Sequence, residues 1–384
     1  MRKIAVITGI RSEYDILYSV MKAIDEHPAL ELNVIVTGAH LSEAYGYSIK
    51  EIEKDGFPIA EKIESLLNAD TLSSRIKSGA IQLLGLIQAL DRIKPQMIVI
   101  LGDREEAIMS ALAGVYMNIP VAHLCGGDKV WGNVDDTIRH AVTKLSHIHF
   151  PTTQENAERI IKMGEEKWRV HSVGNPGLDR LMTTEYISRE KLSEKLGFDV
   201  TSGPVILLIQ HPLSSESEMA GEQMRITMEA IKEMKIKTLV GYPNSDAGGQ
   251  KIIDVINEYA EKLPFVKPYI NLSRTEFVNL LRIADVLIGN SSCGILEAPL
   301  LKLPVINVGN RQKNRQHAEN VIFVPHDKRV IIKAVQAVLN DEGFIEKVKN
   351  CVNPYGDGHS GERIARILVE INLDKSLINK DITY

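Results

Sequence analysis

Short runs of Val, Ile and Leu alternate along this chain with longer segments of helical period. No other feature restricts its fold so tightly. The runs are KIAVITG (3–9), LNVIVTG (32–38), MIVILG (97–102), IPVAHL (119–124) and HIHFPT (147–152), then PVILLIQ (204–210), KTLVGYP (237–243), DVLIGN (285–290) and LPVINV (303–308). Their near-continuous apolar character suits strands covered by helices on both faces. Repeated strand–helix alternation of this kind builds parallel sheets through βα crossovers. At 384 residues the chain is too long for one ordinary core, and the runs fall into two series. The fold class expected is α/β, with two Rossmann-like domains whose parallel sheets are flanked by helices. The first runs to about residue 178. A charged helical stretch over about 181–200 leads to the second, whose first strand begins near Pro204.

Composition narrows the function classes. A hydrophobic content of 44% with 25% charged residues is ordinary for a globular protein. A formal net charge of −5, with no basic tract, argues against a nucleic-acid partner. No apolar run is long enough to span a bilayer, and the first residues read as a strand rather than a signal peptide. Cys125, Cys293 and Cys351 are widely spaced and form no CxxC pair, so neither a disulfide framework nor a structural zinc site is expected. These points place the protein in the cytoplasm, with neither membrane nor nucleic acid as partner.

Polar residues cluster where the apolar runs end, which is where open α/β sheets gather their active groups. GNSSCGILEAP (289–299) reads as a strand end, a tight turn and the first turn of a helix. Free N–H groups at such a start attract anions. Ser291 and Ser292 would add hydroxyl donors for a phosphate, and Glu297 could accept from sugar hydroxyls; a plain serine cap is the alternative. In TGIRSEYD (8–15), Gly9 permits a sharp turn and Arg11 suits a diphosphate, unless it is an ordinary surface arginine. That run has no GxGxxG fingerprint and no P-loop lysine. In GDREEA (102–107), Asp103 is a base, an acid or a helix cap, with Arg104 beside it.

The densest polar stretch is HLCGGDKVWGNVDDTIRHAVTKLSH (123–147). Gly126, Gly127 and Gly132 suggest a loop wrapped closely around something. Asp135 with Arg139, and Asp136 with His140, are each four apart and can share a helix face. His123 and His140 match no strong zinc spacing, so no metal is expected. Carboxylates beside basic groups suit proton transfer near an anionic substrate. His211, before Pro212, would donate to a phosphate or ribose, or else packs at a domain edge. Arg311 and Arg315 in RQKNRQ are candidates for closing around an anion, with a solvated charge run as the alternative. No GxSxG nucleophile elbow is present. Together these features point to a nucleoside diphosphate sugar bound in a cleft between two domains.

The motifs TGIRSEYD, ILGDREEA, GGD with GNVDDTIRHAVTKLSHIH, VGNPGLD, the HP at 211–212, YPNSD, GNSSCGILEAP and VGNRQKNR occur in one order over essentially the whole chain. In this the sequence resembles the UDP-N-acetylglucosamine 2-epimerase family, and its VDDxxRHxxxKLSH form resembles the hydrolysing branch that serves sialic-acid-type sugars. The resemblance implies a GT-B arrangement with the active site in the interdomain cleft. The N-terminal domain would be 1–178 plus a returning 363–384 and hold the sugar; the C-terminal domain would be 179–362 and hold UDP. The reaction implied converts UDP-N-acetylglucosamine and water to N-acetylmannosamine and UDP. A base takes the C2 proton as UDP departs, and a glycal-like intermediate then gains water at C1 and a proton at C2 from the opposite face.

By matching position, Arg11, His211, Ser291, Ser292, Glu297 and Arg311 would bind UDP, and Arg104 would lie beside the phosphates or sugar. Asn244, in YPNSD, and Arg315 join the substrate-binding candidates. Asp103 and Asp135 would be the acid–base residues, with Asp128, Arg139 and His140 as further catalytic candidates. No cofactor is implied, and the expected assembly is a homodimer, with a tetramer as the alternative. One position departs from the family: the usual Glu two residues after His123 is Cys125 here. A thiol is a poor substitute for a carboxylate. Either Asp128 or Asp135 takes over its function, or the substrate differs. A diacetamido 6-deoxy sugar of the bacillosamine type, with an acetamido group at C4, is the alternative substrate. Further alternatives are a non-hydrolysing epimerase, a GT-B glycosyltransferase and a non-catalytic nucleotide-sugar sensor.

Overall fold

The computed structural model describes residues 1–384 apart from 70, 130–133 and 244–245. The chain forms two compact units, Met1–Met182 with Tyr355–Tyr384, and Thr183–Pro354. Unit 1 contains β1 (Arg2–Thr8), β2 (Leu30–Thr37), β3 (Ile59–Ile63), β4 (Met97–Leu101), β5 (Val121–Leu124) and β6 (Ile148–Phe150). They lie in the order β3-β2-β1-β4-β5-β6, and all neighbours are parallel. Unit 2 contains β7 (Val205–Ile209), β8 (Lys237–Gly241), β9 (Val266–Tyr269), β10 (Val286–Gly289), β11 (Val305–Val308) and β12 (Val321–Val324). Their order is β12-β11-β10-β7-β8-β9, again parallel throughout. Both sheets are therefore Rossmann-like, as the alternation of apolar runs implies.

The continuous apolar runs follow from burial on both faces. In β1, Ile4 and Val6 pack with Leu17, Val20 and Met21 of the helix Arg11–Asp25, and with Ile364 and Leu368 of the helix Ser360–Glu370. Ala5 and Ile7 pack on the other side with Leu86, Ala89, Ala107 and Ala111. Each fully buried aliphatic side chain contributes about 1.5–3 kcal/mol, so neither face tolerates a polar alternation. The carboxylate of Asp179 accepts the N–H groups of Ser360 (3.1 Å) and Gly361 (2.6 Å), and Asn175 N–H donates to Tyr355 O at 2.6 Å. These bonds fix the start of the returning helix against unit 1.

Three strands have no counterpart among the apolar runs: β3, β9 and β12. Each is a sheet edge, and each is largely exposed or half-buried: Ile59–Ile63 and Val266–Tyr269 bury one residue apiece, and Val321–Val324 only its two ends. An edge strand packs against one neighbour only and needs less apolar character, which weakens its signature.

The strand order reverses between β1 and β4 in the first sheet and between β7 and β10 in the second. At such a reversal the following connections diverge to opposite sides and open a crevice beyond the carboxyl ends of the strands. The motifs at 8–15 and 102–107 flank the first crevice, and those at 211–212 and 289–299 flank the second. Among the described residues, no helix is long and apolar enough to cross a membrane.

Candidate active site

At the first crevice the chain leaves β1 through Gly9 and enters the helix Arg11–Asp25. Gly9 N–H donates to the carboxylate of Glu13 at 2.9 Å. A Cβ on Gly9 would lie 2.5 Å from Glu106 Cγ, so only glycine fits against that side chain. Glu13 and Glu106 are both buried. Burial and the charge of Glu106 push the Glu13 carboxyl up to about 8, and burial also raises that of Glu106. Neither was singled out from the sequence, because an acid in the first helical turn reads as an ordinary dipole partner. Arg11, in contrast, is 65% exposed and pairs with Glu51 at 3.2 Å.

Arg104 follows β4 and is half-buried. Its Nε donates to Glu106 at 3.1 Å and its Nη2 to Glu105 at 3.2 Å. Asp103 pairs with Arg139, which projects from the helix Val134–Leu145. Arg139 is only 8% exposed, and its Nε and Nη1 find no partner. Burial pulls its guanidinium down to about 10. His123, on β5, donates through Nε2 to Gly102 O at 2.7 Å and accepts from Thr143 at Nδ1 (3.3 Å). Burial lowers it to about 3, so it is neutral and supports the loop ahead of Asp103.

Cys125 adopts a left-handed φ of 60° just past β5, and burial, with Asp128 nearby, pushes its thiol up, so the side chain is uncharged. Asp128 accepts from Asn156 Nδ2. Asp135 receives a donor from Arg75 at 3.3 Å, and Arg75 also donates to Glu105 at 2.6 Å. His140 and Asp136 approach to 3.7 Å across one helical turn, and His140 Nδ1 is buried without a partner. Asp103 and Arg139 are thus brought together directly, while Asp135 joins Arg104 through Arg75 and Glu105. Among the described residues, no group of His, Cys, Asp and Glu is placed to hold a metal. Gly132 and Asn244 lie outside the described residues.

The second crevice is organised by Asn290, a residue between the strand and the serines that drew attention. Its Oδ1 accepts His211 N–H at 2.7 Å and its Nδ2 donates to His211 O at 2.9 Å, stapling the ends of β7 and β10. Its own carbonyl accepts Arg311 Nη1 (3.1 Å) and Gln312 Nε2 (3.0 Å). Gly289, at φ 124°, lies against the Ile209 carbonyl where no side chain fits. The helix expected to begin here is a single turn, Cys293–Leu296. Cys293 N–H is taken by Ser291 Oγ (3.4 Å) and Gly294 N–H by Ser291 O (3.2 Å). The turn closes on itself, so the hydroxyls rather than a row of free N–H groups carry its polar chemistry. Ser292 precedes that turn without capping it through its side chain.

Glu297 is largely buried and pairs with Arg274 at 3.2 Å. Burial raises its carboxyl, and Arg274 opposes that shift. Arg274 leaves its Nε buried and unpartnered, and nothing in its sequence context marked it. The two arginines of RQKNRQ separate: Arg311 reaches the Asn290 hub. Arg315, bonded to Gln312 at 3.0 Å, lines a groove of about 460 Å³ with Lys313, His317 and Phe323.

A family model described as UDP-N-acetylglucosamine 2-epimerase matches residues 22–369. The chain is similar to the UDP-N,N'-diacetylbacillosamine 2-epimerase (hydrolyzing) of Legionella pneumophila, 37% identical over 380 residues, 99% of each chain. It is 34% identical over 323 residues to the GDP/UDP-N,N'-diacetylbacillosamine 2-epimerase (hydrolyzing) of Campylobacter jejuni, covering 84% of each. In fold it resembles the crystal structure of UDP-GlcNAc 2-epimerase from Neisseria meningitidis bound to UDP-GlcNAc, with a TM-score of 0.79 at 19% identity, over 97% of this chain and 100% of that one.

Proposed function

The chain belongs to the UDP-N-acetylglucosamine 2-epimerase family, and from that premise we propose that its substrate is UDP-N,N'-diacetylbacillosamine. The enzyme is a hydrolysing 2-epimerase of a nucleotide-linked amino sugar. It would release UDP and the free diacetamido sugar inverted at C2. The observation that carries this choice over UDP-N-acetylglucosamine is the 37% identity, across 99% of both chains, with the Legionella pneumophila enzyme of that name. The motif resemblance by itself implies UDP-N-acetylglucosamine as substrate, with the diacetamido sugar as the alternative. The uncharged Cys125 supports the present order, because a small neutral side chain suits an acetamido group better than a carboxylate does.

In this reading unit 2 supplies the nucleotide contacts. Ser291 and Ser292 donate to the leaving diphosphate, Arg311 offsets its charge, and Glu297 accepts from ribose hydroxyls. Stabilising the charge that develops on the diphosphate is the larger electrostatic contribution. Unit 1 supplies the proton chemistry. Asp103 and Asp135 are the acid–base pair: one removes the C2 proton as UDP leaves, and the other delivers a proton to C2 of the glycal from the opposite face, its π pair forming the new C–H bond while water bonds to the electron-poor C1 and loses its proton. Arg139, already paired with Asp103, offers its two remaining donor nitrogens to the sugar.

The test is proton and phosphorus NMR in D2O with UDP-N,N'-diacetylbacillosamine, its GDP counterpart and UDP-N-acetylglucosamine. Free UDP and a C2-deuterated sugar should appear fastest from the first. A kcat/KM for UDP-N-acetylglucosamine equal to or above that for the diacetamido substrate would reverse the assignment.

A further inference from the structure

We infer that Arg75 is the positioning residue for Asp135, fixing that carboxylate relative to the end of β4. The inference rests on the acid–base role proposed above for Asp135. Arg75 stands on the helix Leu72–Ile93, outside every motif that pointed to the site. Its Nε donates to Glu105 Oε2 at 2.6 Å and its Nη2 to Asp135 Oδ1 at 3.3 Å. The other oxygen of Glu105 accepts Arg104 Nη2 at 3.2 Å, and Arg104 Nε donates to Glu106 at 3.1 Å. Asp135 therefore belongs to a chain of alternating charges that runs through Arg75, Glu105 and Arg104 to the buried carboxylate of Glu106.

The geometry makes Glu105 the anchor and Asp135 the group held. Glu105 lies in the first turn after β4, and its side chain is 12% exposed, against 24% for Asp135 and 43% for Arg75. One turn beyond Arg75, Gly79 brings its helix against the helix Glu105–Tyr116: a Cβ there would lie 3.1 Å from Met109 Cε and 3.7 Å from Glu105 Cβ. Arg75 thus projects from a base fixed against the same helix that carries its anchor. A guanidinium holds its donors in a rigid plane and can set the separation of two carboxylates, which a lysine ammonium cannot. An ion pair this exposed adds little to folding stability, so the arrangement should register in turnover.

The experiment is a double-mutant cycle on UDP-N,N'-diacetylbacillosamine turnover, with Arg75→Gln, Asp135→Asn, the double variant and Arg75→Lys. Melting temperature and UDP affinity are measured alongside. Arg75→Gln should lower kcat about ten- to a hundredfold, the cost of a displaced catalytic group. KM and UDP affinity should stay within about twofold, and Arg75→Lys should recover only part of the loss. The double variant should be no slower than Asp135→Asn alone, since nothing remains to be positioned. Losses that multiply in the double variant, or an Arg75→Gln enzyme with unchanged kcat beside an inactive Asp135→Asn, would overturn the role of Arg75. Wild-type turnover by Asp135→Asn would instead overturn the acid–base reading of Asp135, and this inference would fall with it.

Discussion

Two clusters of buried carboxylates in unit 1 are treated in opposite ways. Beside β6, Glu165 is fully enclosed and accepts from Lys144 (2.6 Å), Lys380 (2.7 Å) and His149 Nε2 (3.0 Å). Burial works against its charge, yet these three hydrogen bonds prevail and hold the carboxyl at about 2. Next to it the buried Arg169 donates to the carbonyls of Ser376 (2.7 Å), Leu377 (2.8 Å) and Asn379 (2.9 Å), while Lys380 reaches Ser146 O at 2.5 Å. Every formal charge there has a partner, with only the neutral His149 ring leaving an atom, Nδ1, unpartnered, and the result is an anchor for the C-terminal segment. Beyond β1 and β4, Glu13 and Glu106 crowd each other with Arg104 bonded to only one of them, and Arg139 keeps two orphaned donors. Buried groups left short of partners mark the place where a ligand is expected to supply them. The comparison separates charge used to hold the chain from charge kept available for substrate.

The largest effect should come from the available set. Asp103→Asn is expected to lower kcat about 10²- to 10⁴-fold while UDP affinity and melting temperature change little; equal loss of binding and turnover would make Asp103 a binding or structural residue. The anchor should show the reverse. Glu165→Gln leaves Lys144 and Lys380 without their counter-charge and should cost about 3 kcal/mol of stability in chemical denaturation, with kcat of the folded fraction preserved.

Stability against pH sharpens the contrast, because the two carboxylates shift in opposite directions. Glu13 is raised to about 8, so its contribution is full below about 4.5 and is lost as pH rises through 8. Glu13→Gln should therefore be more stable than the wild type at pH 8, by on the order of 1–2 kcal/mol, and show little gain at pH 4.5. Glu165 is depressed to about 2, so its contribution is present above about 4.5 and is lost as pH falls towards 2. Denaturation midpoints for wild type and both variants between pH 2 and 8 check the two slopes; parallel slopes would remove the distinction. The smallest effect is expected from Lys144→Met. That side chain is 38% exposed and Lys380 and His149 remain on Glu165, so the loss should stay below about 1 kcal/mol.

How much of this was legible in the sequence depended on where each element lies. Central strands such as Val205–Ile209 and Met97–Leu101 are buried at every position and announce themselves as apolar runs. The edge strands Ile59–Ile63, Val266–Tyr269 and Val321–Val324 are not, and they passed unmarked. The site divides along a similar line. Asp103, Arg139, His211 and Ser291 follow strand ends or stand in dense polar motifs, so they could be picked out. Glu13 and Glu106 lie inside the same motifs, but their burial against each other comes only from the closeness of β1 and β4. Asn290 closes the apolar run DVLIGN, and nothing in that run signals that its amide joins two strand ends.

The sequence by itself determined the strand–helix alternation, two doubly covered parallel sheets and the strand ends at which polar chemistry collects, because apolar burial and turn formation are written in local residue order. Tertiary structure alone decided which of those polar groups share a crevice. It set Arg75 between Glu105 and Asp135, 30 and 60 residues away, and gave Arg311 and Arg315 different surroundings. The physical reason is that partnership among charges depends on which strands become neighbours. That order is set by how whole helices cover a sheet, and no local run of residues carries it.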